Sequence, residues 1–164
     1  MRFCVVQVQP LGCIFVRSSG KFRSEHMKSL IQAIANLDAY GSSQILHDMR
    51  LVDFDVPVEQ VIEVGRTYPA KPRQGCLAVV SDSVLGFGML RVIVSIRENE
   101  SRTVQAFREI GEAINWLDVP GLRDRPPAEV EAILTEFIGT GSGDTDGFNI
   151  VMKNVSSGAV ASVL

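Results

Sequence analysis

The chain has 164 residues, of which 46% are hydrophobic and 21% charged, with a formal net charge of −3. That balance excludes a disordered chain and argues against a nucleic-acid footprint, which needs a basic face. No apolar run approaches the ~18 residues of a membrane span. Met1-Arg2-Phe3-Cys4-Val5-Val6 lacks the apolar stretch and cleavage site of a signal peptide, so a reducing cytoplasm is the expected location. Cys4, Cys13 and Cys76 form no CxxC. They read as small buried apolar residues rather than a zinc site or a disulfide framework.

Two periodicities alternate along the chain. Phe3 to Gln9 and Leu11 to Ser18 are β-branched-rich runs broken at Pro10, and they predict an antiparallel hairpin. Ser24 is placed to cap a helix that runs to about Asp38. Met27, Leu30, Ile31, Ile34 and Leu37 share one face of it. Tyr40 to Ser43 ends that helix, and Gln44 to Met49 predicts a short strand. Asp55-Val56-Pro57 opens a second helix whose inner face is Val58, Val61 and Ile62. Gly75 to Ser81 is an unbroken apolar run, as expected of a central strand covered on both faces. A helix over about Ser83 to Asn99, a strand over Thr103 to Phe107 and a helix over Glu109 to Leu117 complete the body. Strands alternating with helices predict an open α/β sheet.

Charge divides the chain. Residues 121 to 164 carry 3 Lys/Arg and 6 Asp/Glu, the whole of the net −3, and the shift follows Pro120-Gly121. The sequence therefore predicts a body at 1–120 and a C-terminal extension at 121–164. Within the extension, Val130, Ile133, Leu134 and Phe137 predict an amphipathic helix at 127–138. A Gly-rich linker at 139–147 and a possible strand at 148–155 follow, and a loose tail begins at Ser156. Asp144 and Asp146 lack the downstream Glu of a calcium loop.

Several segments together resemble the SpoIIAA-like branch of the STAS superfamily, the anti-sigma-factor-antagonist domains. They are Ile45-Leu46-His47-Asp48-Met49-Arg50 with Val52-Asp53-Phe54-Asp55, Leu77-Ala78-Val79-Val80, Gly86-Phe87-Gly88-Met89, and Ala106 to Leu117. The most specific is the last, which reads F-R-x-x-x-E-A-x-x-W-L. The resemblance covers roughly residues 1 to 119. It implies an open mixed sheet of about five strands with four helices, and a regulatory or binding role without an established enzyme activity. Family members that are phosphorylated carry a Ser where the second helix begins. Here that stretch is Asp55-Val56-Pro57-Val58, so the phosphoswitch does not carry over.

Candidate site residues fall in four places. Asp48 and Arg50 read as a rim ion pair worth about 0–1 kcal/mol. Asp53-Phe54-Asp55 superficially matches the DxD of haloacid-dehalogenase-type phosphatases. There, however, an apolar strand leads straight into the motif, and here Arg50-Leu51-Val52 intervenes. Ser81 and Asp82, with Ser83, lie between a central strand and its helix, where Ser and Asp cap helices and free N–H groups attract anions. Gly86 and Gly88 fall inside that helix and cost about 1 kcal/mol each against Ala unless something approaches closely. The same helix carries two apolar stripes, Leu85/Met89/Val92/Ile93/Ile96 and Phe87/Leu90/Val94. One stripe covers the sheet. The second is left for the extension helix, a second subunit or an apolar ligand.

The expectation is a non-enzymatic cytoplasmic regulatory domain that binds an unidentified protein partner as a homodimer, with no metal, no cofactor and no nucleic acid. The partner surface is Asp48, Arg50, Ser81, Asp82, Phe87, Leu90 and Val94. The alternative is a small-molecule or lipid carrier with an apolar cavity between sheet and helices, an arrangement related in appearance to the lipid-transfer CRAL-TRIO domains.

Overall fold

The computed structural model describes residues 1–8, 11–38, 41–67, 75–98, 104–123, 125–138 and 149–155. The readings made for Pro10, Tyr40, Asn99, Thr103, the 139–147 linker and the tail from Ser156 lie outside the described residues, as does the side chain of Phe137. The elements in chain order are β1 (Arg2–Val8), β2 (Cys13–Lys21), α1 (Ser24–Leu37), β3 (Gln44–Asp53), α2 (Val58–Thr67), β4 (Leu77–Val80), α3 (Val84–Glu98), β5 (Val104–Phe107), α4 (Ile110–Leu117), α5 (Pro127–Ile138) and β6 (Asn149–Val155).

The described strands form one mixed, open sheet in the order β5-β4-β3-β2-β1-β6. β1 and β2 pair antiparallel, as their hairpin spacing predicts. β2 to β5 are mutually parallel and advance in one direction across the sheet. Right-handed crossovers then put all three connecting helices on the same face. Accordingly α1 (Met27, Leu30, Ile31, Ile34), α2 (Val61, Val64) and α3 (Leu90, Ile93, Val94) share a core with Phe3, Val5, Ile14, Val16, Ile45, Leu77 and Val79. The chain leaving β5 crosses to the other face. There α4 (Ile110, Ala113, Ile114, Leu117) and α5 (Val130, Ile133, Leu134) cover the alternate strand residues Val6, Val8, Phe15, Leu46, Ala78 and Val80. Residue parity along each strand thus sorts side chains into two cores. All four residues of β4 are buried, in keeping with its unbroken apolar run.

The extension belongs to this architecture. α5 has the bounds its apolar spacing predicts, and β6 pairs parallel with β1 to add a sixth strand beside the N-terminal hairpin. Two local details differ from the sequence reading. Ser24 is the first helical residue of α1 rather than its cap, a position held by Arg23 with no side-chain bond. β3 continues through Arg50-Leu51-Val52 to Asp53, because a bulge opposite Arg17–Ser19 lets it keep pairing with β2.

The second stripe of α3 does not await a partner. Leu90 and Val94 are 0% and 4% exposed, and Phe87 is half-buried against the same core. α3 lies on β3, β4 and β5 and also flanks α2. A Cβ on Gly65 of α2 would stand 2.9 Å from the Ile96 side chain, so the two helices approach closely at that glycine. α2 therefore flanks α3 at Ile93 and Ile96 of the first stripe, Leu90 and Val94 of the second lie in the core on the sheet, and α5 lies on the opposite face. Leu85, assigned to the inner stripe, is 53% exposed. Leu90 and Val94 are consequently not a surface for a subunit or ligand, while Phe87 stays partly exposed beside them.

Candidate functional site

Two polar groupings lie at the carboxyl ends of the parallel strands. The first is built by register. Arg17 of β2 is directly opposite Asp48 of β3. Both point to the α4/α5 face, as does Arg50 two residues on. Arg17 Nε donates to Asp48 Oδ2 at 3.0 Å. Arg50 donates to Asp48 through Nε at 2.9 Å and Nη2 at 2.8 Å. Glu131 of α5 closes the group, accepting from Arg50 Nη1 and lying 3.7 Å from Arg17 Nη2. Asp48 and Arg17 are buried while Arg50 and Glu131 are partly exposed, so this is a four-charge network with a buried centre rather than the rim pair expected from sequence. Burial works to raise the Asp48 pKa. Hydrogen bonds and charge from Arg50, with the charge of Arg17, outweigh it and hold the carboxylate below its ordinary range. The Arg50 guanidinium is held above its own range, chiefly by its bonds to Asp48. With two cations and two anions in contact, the network fastens the extension helix to the sheet.

On the opposite face of the same strands, Ser18 Oγ and His47 Nε2 are 2.6 Å apart. The two residues are 0% and 1% exposed, so this serine–histidine pair is sealed from solvent. Burial pushes the His47 pKa down to about 4. A histidine depressed from 6.5 folds neutral, so its contribution to stability is complete above pH 6.5 and is lost as pH falls towards 4. Between pH 7.5 and pH 5 the native state should lose about 2 kcal/mol by this route. Urea midpoints at the two pH values measure it, and His47→Asn should remove most of the difference. Equal slopes in the two proteins would rule out His47 as the source.

The second grouping is the turn from β4 into α3. Ser81 N–H continues the ladder by donating to Phe107 O at 3.1 Å. Ser83, not Ser81, caps α3: its Oγ accepts from Gly86 N–H at 2.9 Å. Asp82 is exposed, and its carbonyl accepts from Arg108 Nη2 at 2.9 Å. Ser81 is 1% exposed, and its Oγ finds no partner among the described residues. A Cβ on Gly86 would collide with that hydroxyl and stand 2.7 Å from Ser83 Oγ and 3.1 Å from the Phe54 ring. Nothing lies within 4 Å of the same position on Gly88. The two helix glycines therefore differ in kind. Gly86→Ala should cost about 1–3 kcal/mol through overpacking. Gly88→Ala should gain about 1 kcal/mol from helix propensity. Thermal unfolding of the two variants, one below and one above the parent, checks both.

Asp53 ends β3 directly, so the intervening residues are no obstacle to a DxD reading as they had seemed. Its Oδ1 instead accepts from Asp55 N–H at 3.0 Å as a local turn bond. Among the described residues no three His, Cys, Asp or Glu side chains are grouped to hold a metal ion. Cys13 is buried on the α4/α5 face, and desolvation drives its thiol up to about 12, which suits an inert packing residue. An open cleft of about 510 Å³ lies where β2 meets α1 and α2, lined by Lys21, Arg23, Glu25, Gln60 and Glu63 beside Phe22 and Val56.

Of the residues singled out in the sequence, the structure brings Asp48 together with Arg50, and Ser81 together with Asp82. It sends Leu90 and Val94 into the core. Arg17, Glu131 and Arg108 were missed. Arg17 had a signal, a charge inside an otherwise apolar strand. Glu131 and Arg108 had none, since each meets its partner across the fold. No protein-family pattern matches the chain, and no curated protein matches it.

Proposed function

We propose that the chain is a non-enzymatic, cytoplasmic regulatory domain of SpoIIAA-like type that binds protein partners, with a second copy of itself as the first of them. The carboxyl end of the parallel strands is its docking end. One observation carries this reading. Among the described residues the exposed large apolar side chains are Leu51, Val58, Val84 and Leu85, at 53%, 37%, 80% and 53%. Leu51 is near the end of β3, Val58 begins α2, and Val84 and Leu85 begin α3, so all four gather at one end of the sheet. Apolar exposure concentrated in this way favours burial against another surface. The order of strands and helices supports the SpoIIAA-like assignment. The start of α2 at Asp55-Val56-Pro57 has no hydroxyl, so regulation here runs without that family's phosphoserine.

The carrier alternative receives less support. The layer between the sheet and α1–α3 is filled by Phe3, Val16, Leu30 and Leu90, and the cleft at α1 is lined largely by charged and polar groups. No helix among the described residues is long and apolar enough to cross a membrane.

Sedimentation of the full chain and of Val84→Glu/Leu85→Glu tests the proposal. Both sites are exposed, so circular dichroism should be unchanged. The parent should dimerise and the double variant should sediment as a monomer. A parent that stays monomeric at the highest soluble concentration, or a dimer indifferent to the two charges, overturns the docking end.

A further inference from the structure

We propose that the β4–α3 turn, completed by Arg108, is a binding site for a phosphate-type oxyanion. This inference does not depend on the protein-docking reading. Its first support is topological. β4 and β5 are parallel neighbours, yet the chain leaving β4 enters α3 on one face and the chain leaving β5 enters α4 on the other. Where successive connections part in this way, a crevice opens at the carboxyl ends of the strands, and ligands of open α/β sheets bind in such crevices.

The second support is the set of donors collected there. α3 is a 15-residue helix. Phe87 N–H bonds Ser83 O, and Gly86 N–H bonds Ser83 Oγ. Val84 and Leu85 precede the first intrahelical bond, so their N–H groups have no acceptor within the helix. Arg108 is the first residue after β5. Its bond to Asp82 O brings an exposed guanidinium onto the turn and leaves the rest of its donor fork available. A guanidinium beside a helix N-terminus matches a tetrahedral oxyanion in both charge and geometry.

The third support is Ser81. Its hydroxyl is buried without a partner among the described residues, and it lies against the first turn of α3, close to where a Cβ on Gly86 would stand. A buried donor left unmatched is costly. An oxyanion oxygen seated on this turn is the acceptor assigned to it. Asp82 in the turn and Glu109, next in sequence to Arg108, are exposed and oppose an anion, so the Kd expected for a bare anion is about 1 mM or weaker.

Titration of the full-length, isotopically labelled chain with inorganic phosphate, read at the backbone amides, tests this. Val84 and Leu85 should shift saturably while the amides of α5 stay in place. Arg108→Gln should weaken binding about tenfold or more, Arg108→Lys less, and Ser81→Ala about threefold to tenfold. Asp82→Asn should tighten it. A phosphate monoester such as phosphoserine that outbinds inorganic phosphate would identify the ligand as a phosphorylated compound. Equal affinities would identify free phosphate. The proposal falls if no saturable shift appears by about 50 mM phosphate, or if Arg108→Gln and Ser81→Ala bind as the parent does.

Discussion

Asp48→Ala should destabilise the protein by about 3–5 kcal/mol, more than any other change to a polar residue considered above. The reason is the asymmetry between making and breaking a buried ion pair. Asp48 accepts from Arg17 and Arg50 at once, and the Arg17 side chain is only 8% exposed. Without the carboxylate, two guanidiniums are left close together beneath α5 and lose the buried anion they share. Glu131→Gln should cost far less, about 1 kcal/mol, because that carboxylate is 34% exposed and water replaces part of its role. Urea unfolding of the two variants gives the comparison. If Asp48→Ala costs no more than Glu131→Gln, the network is not the fastening described here.

Leu90→Glu is expected to leave the chain largely unfolded. Leu90 is wholly buried among residues of α2, α3 and the sheet, and a carboxylate there has no cation within the apolar core to meet. Leu90→Ala, which only opens a cavity, should cost about 2–5 kcal/mol. Against a typical total of about 5–15 kcal/mol, the charged variant removes most of the native population. Leu85→Glu, five residues earlier on the same helix, should change stability by no more than about 0.5 kcal/mol, since Leu85 faces solvent at the helix start. Circular dichroism melts of the three variants decide the matter. A folded Leu90→Glu protein would mean that α3 is not seated as described.

How much of this was readable in the sequence depended on how local the determinant was. α5 was legible to the residue because Pro127 starts it and its apolar spacing is regular. β4 was legible because four consecutive apolar residues need cover on both faces. Single-helix periodicity failed at α3. It counts apolar positions around one axis but cannot see which stripe meets the sheet, nor that α2 lies alongside at Ile93 and Ile96 of the other. Asp48 and Arg50 were visible as a pair, but the burial that changes their energetics depends on Glu131, 81 positions beyond Arg50. The turn at Ser81–Ser83 was placed correctly as a helix start. Which hydroxyl caps and which is orphaned depends on how closely α3 approaches β4, and composition does not encode that.

The strand β1 is flanked on one side by β2, made immediately after it, and on the other by β6, made about 140 residues later. Likewise Val6, Val8 and Phe15 receive their cover from Val130, Ile133 and Leu134. During synthesis the hairpin therefore emerges long before the residues that shield its outer edge and one of its apolar faces. The nascent chain must hold that surface out of intermolecular contact until α5 and β6 leave the ribosome. A chain released early, at about residue 120, should aggregate rather than persist as a smaller folded body.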